Sequence, residues 1–597
     1  MSDIDIRRRD DGNPPALTQR AQNDVGPQRP SDGVREHLAS LPRERAHELG
    51  EILETLREKR PRFINSFLAS AEKSLERYAS DLLSTATVPS ERLQVAFVDA
   101  LRRHDPNLNG ASVLRELQRG VLVDTSGHCG LIGDTESIHS LLLLGLAARQ
   151  RGDSRVFAMA GGGVPLDNAT LPGGFYWNSQ RVNLHPQKIK GESSGSMMAS
   201  TVEACALKSV LQVSPKYKGT FDDNGFPSEI EVIPSERRAF VSFLREEIAR
   251  PESSLRDIFT NPHLRFCDQV ARVNEALWSG LGATDRGLPG LAYGLIEDVN
   301  SHILRRLILQ ESGRPVEHSK EPLYRMLFDA DLRNRVLEAF NSSDPSPMVQ
   351  GAWKHNELRN VSHGTHFFWL LEGTACIDEF SGRASVKNAR QSKISISKDG
   401  ILSNEDNSFR VEMTPENVGC LLDGLPTENG RAIKLSPSTF LNIILLTMEN
   451  CSIIGGMNQA DYASTYQRIL GPILSEVVPC EAVENFKRLT LDNFCLGLLF
   501  TSVKDKEGSF EHLLLQPQAL VEAVNQNART MSVAEAGVLD IANWVNTIVP
   551  KAEFQDKLSG KVVEVPLANG KTMWKLDPRF SFSNLYREMR SVTPSGS

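Results

Sequence analysis

The amino-acid sequence predicts an α/β fold, with a Rossmann-like parallel-sheet core, helical insertions and an α+β C-terminal region. Two short apolar runs, residues 121–123 and 156–160, each stop at a glycine-rich loop, and an apolar helix is predicted between them over residues 135–150. Strand, loop, helix, strand and loop is the order of a right-handed βαβ unit, which places both loops at the carboxyl ends of neighbouring parallel strands. Small ligands bind at that edge of open α/β sheets, so the pattern predicts a ligand site.

A third strand-to-glycine junction follows much later in the chain. Residues 440–448 predict an apolar helix and residues 451–454 predict a strand. The strand ends in Gly455 and Gly456, and a further helix is predicted over residues 458–470. We therefore expect three glycine loops to meet over one pocket at one rim of the sheet.

Composition excludes several classes of protein. A length of 597 residues suits two to four domains, and 40% hydrophobic with 24% charged residues is ordinary for a soluble globular protein. The net charge of −8 and the pI near 6.0 argue against a general nucleic-acid binder. Eight cysteines without a CxxC pair indicate reduced thiols. Since the first residues are charged and the apolar run 141–148 is too short for a bilayer span, we expect a cytoplasmic protein without a membrane partner.

Shifts in composition and periodicity divide the chain into six expected segments. The first is polar and rich in proline, and such a segment cannot offset its ordering entropy. The expected segments are a disordered N-terminal tail (1–33), a helical N-terminal segment (34–120), the first part of the core (121–200), a helical insertion (201–330), the second part of the core with a β-hairpin (331–480) and an α+β accessory region (481–597).

Local signals refine this division. Ser90 and Thr414 each precede a helical pattern and are predicted to be N-cap residues. Residues 384–413 alternate strand-like stretches with turn signals, which predicts a hairpin. Within them, residues 393–398 alternate isoleucine with polar residues, which favours a strand over the lysine loop of class I aminoacyl-tRNA synthetases.

The first loop carries the residue types that predict chemistry. Two imidazoles and two carboxylates stand at a predicted helix start: His128, His139, Asp134 and Glu136. A helix N-terminus offers free N–H groups to an anion, and imidazole transfers protons near neutral pH. We expect His128 to shuttle a proton or stabilise an electrophile, with the other three residues positioning it. The alternative is a tight turn in which Asp134 or Thr135 caps the helix.

The glycines of all three loops permit close approach of the backbone to a ligand, because no Cβ intervenes. Gln459 and Tyr462 are three residues apart on a predicted helix and could face one ligand. The expected substrate-binding residues are Gly127, Gly161, Gly162, Gly163, Asp167, Asn168, Gly455, Gly456, Gln459, Asp461 and Tyr462. A flexible glycine turn in the second loop and a plain helix cap in the third remain alternatives.

Two further groups of residues invite a functional reading. Cys129 lies in the first glycine loop and could be a nucleophile, although a small packed cysteine is the alternative that we favour. His363 and His366, with His355 nearby, suggest a metal site. In an extended segment, residues three apart face opposite sides of the sheet and cannot chelate one ion, so we expect no metal site.

The order of the three loops resembles that of one family, the cysteine-adding enzymes of bacillithiol synthesis. The resemblance is carried by residues 127–133 with Ile138 and His139, by residues 158–170, and by residues 455–462. It implies a Rossmann-like core with helical insertions, and a reaction that joins cysteine to a glucosaminyl-malate.

The chain departs from that family at the positions that matter for chemistry. The second motif of the family has Glu, Asp, His and Asp in succession, and this chain has Gly162, Gly163, Val164 and Pro165 at those positions. Gln459 stands where the third motif has a glutamate, and a family arginine corresponds to Phe440. The resemblance therefore implies the fold more strongly than the cysteine reaction.

Together these features predict a small-molecule biosynthetic enzyme of the ligase or transferase kind. It would join an amino acid, or another amine or thiol nucleophile, to a small acidic substrate. The use of ATP is left open, and a homodimer is an option. Two alternatives remain: a non-catalytic ligand-binding or regulatory protein derived from the same fold, and a secreted bacterial effector whose polar N-terminus is the signal.

Overall fold

A computed structural model gives the structure of the protein. The residues it describes are 61–70, 72–105, 107–132, 135–163, 166, 175–177, 180–182, 197–205, 207, 211, 213–214, 216–251, 253–261, 263–310, 312–316, 318–342, 367–404, 406–491, 493, 517–530, 532–533, 562–566 and 572–576.

The described residues form helices and strands in the following order along the chain. The helices are α1 Pro61–Ser70, α2 Leu75–Leu83, α3 Glu91–His104, α4 Gly110–Leu117, α5 Thr135–Arg151, α6 Ser235–Ala249, α7 Phe266–Gly280, α8 Ile296–Ile308, α9 Pro322–Phe328, α10 Ala330–Ser342, α11 Pro415–Leu422, α12 Thr439–Met448, α13 Met457–Val477, α14 Glu481–Arg488 and α15 Pro517–Asn527. The strands are β1 Leu122–Asp124, β2 Arg155–Ala160, β3 Phe175–Trp177, β4 Gln180–Val182, β5 Gly290–Leu295, β6 Phe368–Asp378, β7 Arg383–Ile396, β8 Ile401–Asn404, β9 Arg410–Glu412, β10 Leu425–Pro426, β11 Arg431–Pro437, β12 Ser452–Ile454, β13 Val562–Pro566 and β14 Thr572–Leu576.

A four-stranded parallel sheet in the order β12–β1–β2–β5 forms the centre of the fold. Val123 of β1 pairs with Ile453 on one side and with Phe157 on the other. The order of the strands reverses between β1 and β12, and the carboxyl ends of the strands at such a switch point are a preferred ligand position. The predicted βαβ unit and the predicted third strand are confirmed, and the molecule is a mixed α/β protein.

Both faces of this sheet are buried, because helices cover each of them. Successive residues of a strand point to opposite faces. Val123 and Phe157 accordingly belong to a hydrophobic cluster with α3, α8 and α12, whereas Leu122 and Ala158 belong to a second cluster with α2, α5 and α7. Burial on both faces explains why the sequence shows continuous apolar runs rather than alternation.

The strand β5 was not predicted. Residues 201–330 were expected to be a helical insertion, and they contain α6, α7 and α8. They also supply the edge strand of the parallel sheet, in which Ala292 pairs with Phe157. Two of the six residues of β5 are glycines, so its apolar run is too broken to be recognised as a buried strand.

A second, antiparallel sheet has six strands in the order β10–β11–β6–β7–β8–β9. The predicted hairpin of residues 384–413 is confirmed as β7, β8 and β9, and residues 393–396 lie in β7 as a strand. The apolar run 366–371 also predicts a strand, and residues 368–371 of it lie in β6. The strand β11, which was not predicted, pairs with β6 and extends the sheet. The sheet's buried residues Leu370 and Leu435 join the cluster around α8 and α12.

Local signals for helix starts were accurate. The Ser90 hydroxyl accepts a hydrogen bond from Leu93 N at 3.2 Å, and the Thr414 hydroxyl accepts one from Asn417 N at 3.2 Å.

The strands β13 and β14 form an antiparallel pair in the accessory region. Among the helices that the structure describes, none has the length and apolar character needed to cross a membrane.

Candidate functional site

Three loops meet at the carboxyl edge of the parallel sheet. We call this the loop rim: residues 125–130 after β1, 161–163 after β2, and 455–456 after β12. The first two loops are joined by backbone hydrogen bonds from Gly161 N to Gly127 O at 2.9 Å and from Cys129 N to Gly161 O at 3.0 Å. Thr125 N donates to Ile454 O at 2.9 Å, which joins the first loop to β12. The three loops therefore lie together at one edge of the sheet, whereas the pocket expected over them stays a prediction.

Hydrogen bonds to buried side chains hold the first loop in place. The buried carboxylate of Asp124 accepts from Ser126 N at 2.8 Å and from Ser140 Oγ at 2.6 Å. Asn274 of α7 accepts from Ile132 N and donates to Gly130 O, both at 2.9 Å. These bonds satisfy buried polar groups and fix the loop in one conformation.

His128 lies in this fixed loop. Burial lowers the pKa of His128, so the neutral imidazole predominates at neutral pH. Its Nδ1 is buried and has no hydrogen-bond partner among the described residues. A neutral imidazole with an unused nitrogen is able to accept a proton.

Of the other residues predicted in or after the first loop, two are buried in the core and two lie wholly or partly outside the described residues. His139 is fully inside the core on α5, and burial lowers its pKa well below the usual value. Glu136 lies in α5, but its side chain is outside the described part of the structure. All of Asp134 is outside it as well. Cys129 is 0% exposed and lies against the thiol of Cys267, in agreement with a packed cysteine.

The second loop holds an internal carboxylate. Gly162 N donates to Oε2 of Glu297 at 2.8 Å and Gly163 N donates to Oε1 at 2.7 Å. These two N–H groups were expected to bind substrate, and in this structure the Glu297 carboxylate accepts from both. A Cβ at residue 163 would lie 2.7 Å from Glu297 Oε1, so the close approach requires glycine.

Glu297 is the first acidic residue of α8 and lies two residues after the end of β5. Burial raises its pKa to about 7, even though the Gly162 and Gly163 N–H groups favour the charged form. It is therefore an acid that changes charge near neutral pH, which is the property of general acid–base residues.

The third loop contacts the first through Gln459, which donates from Nε2 to Thr125 Oγ1. Tyr462 packs against Tyr466 with ring centroids 5.5 Å apart, and burial raises its pKa. Gln459 and Tyr462 therefore have different surroundings. The side chain of Asp461, and all of Asp167 and Asn168, lie outside the described residues, as do His355, His363 and His366.

A cavity of about 460 Å³ opens beside the second loop, between α3, α8 and the antiparallel sheet. We call it the ionic cavity. Glu297 lies in its wall, so the cavity and the loop rim share this residue. The charged side chains in its lining include Arg103, Arg265, Glu297, Asp298, Asp378 and Lys434.

Two arginines and three aspartates form an ion-pair cluster at the base of the cavity. Arg265 bonds Asp268 and Asp298, with Nη2 at 2.7 Å from each. Arg103 bonds Asp378 at 2.7 Å and Asp268 at 3.3 Å. Burial opposes ionisation of Asp268, yet Arg265 and Arg103 hold its pKa well below the usual range.

Lys434 of β11 reaches the same cavity. Burial lowers its pKa, while Asp378 and Asp298 act in the opposite direction. Its Nζ lies 3.5 Å from Ser385 Oγ. An amine with a lowered pKa can serve as a base or as an anion contact.

One group of side chains has the spacing of metal ligands: His104, Asp268 and Asp298 offer ligand atoms within 4.8 Å of one another. Arg265 donates to both carboxylates and supplies the positive charge that a cation would bring. The arrangement is an ion-pair network by its bonds, and we assign no metal to it.

The residues of the ionic cavity were not predicted from the sequence. The charged residues named above come from four different helices and strands, α3, α8, β6 and β11, and from Arg265 just before α7, so most of them are isolated charges in the sequence. One signal was available: Glu297 and Asp298 follow an apolar run bounded by Pro289. Paired carboxylates directly after a short apolar run mark the carboxyl end of a strand, where ligands bind in parallel sheets.

Comparison of the chain with protein-family models, with curated proteins and with solved structures gave no match.

Proposed function

We propose that the protein is a cytoplasmic small-molecule biosynthetic enzyme that joins an amine or thiol nucleophile, such as an amino acid, to a small acidic substrate. The observation that carries the proposal is the convergence of three glycine loops at the switch point of a parallel sheet, beside a polar cavity. A site of that kind holds small molecules by backbone donors and a few charged side chains. A Rossmann-like core resembling the cysteine-adding enzymes is part of the same proposal.

In this proposal His128 accepts a proton from the nucleophile. Its lowered pKa keeps it neutral, and its Nδ1 has no partner in the described structure. Asp124, Ser140 and Asn274 hold the surrounding loop, which fixes the imidazole relative to a bound substrate. Whether ATP activates the acidic substrate is decided by the assay below.

The test is a turnover assay with the full chain, amino acids, and a metabolite extract, with and without ATP, followed by mass spectrometry. We expect consumption of one amine or thiol and one acid, and appearance of their product. His128→Ala should lower turnover by about 10²- to 10⁴-fold, the usual contribution of a proton-transferring residue. His318→Ala is the matched control, because His318 is exposed and outside the loop rim.

Unchanged turnover in His128→Ala would remove this residue from the mechanism. Absence of any turnover, together with a ligand that raises the melting temperature, would favour the second candidate, a non-catalytic binding protein. The observation that favours this second candidate is that Gly162 and Gly163 donate to the protein's own Glu297 rather than standing open to substrate.

A further inference from the structure

The two N–H groups of the second loop form an anion cradle, which is already filled. Gly162 N and Gly163 N converge on the two oxygens of one carboxylate, at 2.8 Å and 2.7 Å. Neighbouring backbone N–H groups that converge in this way bind oxyanions in many proteins. Here the oxyanion is the side chain of Glu297.

This arrangement places the Glu297 carboxylate where its charged form is disfavoured. The carboxylate is withdrawn from water, and burial raises its pKa to about 7 despite the two donors. A buried charge whose ionised form is disfavoured is more easily exchanged for another anion than one held by an arginine. The neighbouring Asp298, by contrast, is held by Arg265 through two hydrogen bonds.

The displaced side chain has a place to go. Glu297 lies in the wall of the ionic cavity, which has a volume of about 460 Å³. Lys434 and Arg265 line the same cavity, so a carboxylate that leaves the cradle enters a space with cations. The cradle stands at the carboxyl end of β2, the edge at which parallel sheets bind ligands.

We infer that Gly162 N and Gly163 N form an oxyanion site that Glu297 occupies in the free protein, and that the carboxylate or phosphate group of a small molecule displaces Glu297 into the ionic cavity. The inference rests on the proposed function only for the identity of the natural ligand. It adds the chemical class of the group that is bound at the second loop.

Displacement is coupled to protonation. When Glu297 is protonated it no longer competes as an anion for both N–H groups, so an added oxyanion binds more tightly as the pH falls through about 7. Other charged or titratable groups surround the cavity and the adjoining loop. On helices or at their starts they are Asp99, Arg103 and His104 of α3, Asp298, His302 and Arg305 of α8, and Arg265 and Asp268 at the start of α7. On the antiparallel sheet and in loops they are Asp378, Glu379, Arg383, Lys387, Lys434, Asp423, Glu203, His263 and, in the first loop, His128.

The experiment is a calorimetric titration of the full chain with sodium sulfate at about pH 6 and about pH 8, at constant ionic strength. Sulfate keeps its charge across this range, so a change in affinity reports on the protein. We expect wild-type protein to bind sulfate about tenfold more tightly at the lower pH. Glu297→Gln, a neutral isostere, should bind with the wild-type low-pH affinity at both pH values.

Two variants locate the effect. Glu275→Gln is the matched control, since Glu275 is also a buried glutamate with a raised pKa, of about 8, that accepts a backbone N–H from Tyr293 at 3.2 Å, but it lies outside the cavity lining. It should behave as wild type. Gly163→Ala should abolish sulfate binding, because the added Cβ would lie 2.7 Å from the position of an oxygen in the cradle.

Three results would overturn the inference: affinity independent of pH in wild type, a pH dependence that persists in Glu297→Gln, or sulfate binding that survives Gly163→Ala. The second result would assign the effect to the histidines. If Glu297→Gln does not fold by circular dichroism, Glu297→Ala replaces it, with the same expectation of pH independence. Since sulfate is not turned over, failure here leaves the turnover assay standing, and failure of that assay leaves the sulfate result standing.

Discussion

The loop rim and the ionic cavity lie side by side and are built by opposite means. The loop rim consists mainly of backbone: three glycine loops after β1, β2 and β12, joined by hydrogen bonds between main-chain groups. The ionic cavity consists of single charged side chains that come from positions as far apart as Arg103 and Lys434. Glu297 and Ser200 connect them: both line the cavity, Glu297 accepts from Gly162 N and Gly163 N, and Ser200 N donates to Gly162 O. A site made of loops leaves a motif in the sequence, whereas a site made of separated charges does not.

The largest effect is expected in the ion-pair cluster. Asp268 is 1% exposed and bonds Arg265, with Arg103 at 3.3 Å. Asp268→Asn leaves two buried guanidinium groups without their shared carboxylate, and removal of one partner of a buried ion pair costs about 3–5 kcal/mol. Denaturant unfolding measures this loss in the free energy of unfolding.

The matched control for that variant is Asp285→Asn, at an exposed position. It should change the free energy of unfolding by less than about 0.5 kcal/mol. If Asp268→Asn costs no more than the control, the cluster is an incidental surface feature and the contrast between the two regions fails.

The same contrast explains which parts of the structure the sequence predicted. β2 and β12 were predicted because their apolar runs are followed directly by glycines, and β1 because its run ends at a polar loop that contains glycines, so each strand is visible together with its end. α5 was predicted as the apolar helix between β1 and β2. β5 was missed because Gly290 and Gly294 interrupt it. The N-caps at Ser90 and Thr414 were predicted because capping depends on a side chain and the turn that follows it.

The residues of the candidate site were predicted or missed for the same reason. His128 and the glycines of the loop rim were found from local pattern, and the structure places their loops together. Glu297, Arg265 and Lys434 were missed because nothing near each of them in the sequence reveals its partners. The pairing of Gly162 and Gly163 with Glu297 depends on the register between β2 and β5, which only the folded sheet determines.

The second effect in size concerns Glu297 and pH. Its pKa is raised to about 7 in the folded protein, so the folded state holds this proton more tightly than the unfolded state does. The free energy of unfolding should therefore fall as the pH rises from about 4.5 to about 7, by about 3 kcal/mol from this residue, and level off above that. In Glu297→Gln this part of the pH dependence should disappear, as measured by denaturant unfolding across that range.

Aspartates of the ion-pair cluster act in the opposite sense. The pKa values of Asp268, Asp298 and Asp378 are held down, so the stability they provide is present above their unfolded pKa and is lost as the pH falls below about 4. The pH dependence of the free energy of unfolding therefore distinguishes the two contributions: Glu297 acts between about pH 4.5 and about pH 7, and the aspartates act below about pH 4. A Glu297→Gln curve that retains the wild-type slope between pH 4.5 and 7 would show that the carboxylate is not buried as described.

The smallest effect is expected where the loop rim rests on α7. Asn274 is fully buried and satisfies Ile132 N and Gly130 O with its amide, each at 2.9 Å. Asn274→Ala removes the partner of both backbone groups. Water that enters the space left by the amide replaces part of these bonds, so we expect a cost of about 1–3 kcal/mol. Because the first loop would then lose its fixed position, turnover should fall more than stability predicts, provided His128 acts there. Asn334→Ala is the control, since that amide donates to Lys398 O near the surface. An Asn274→Ala protein that loses stability but keeps full turnover would mean that the loop rim needs no rigid first loop, and would move the chemistry to the ionic cavity.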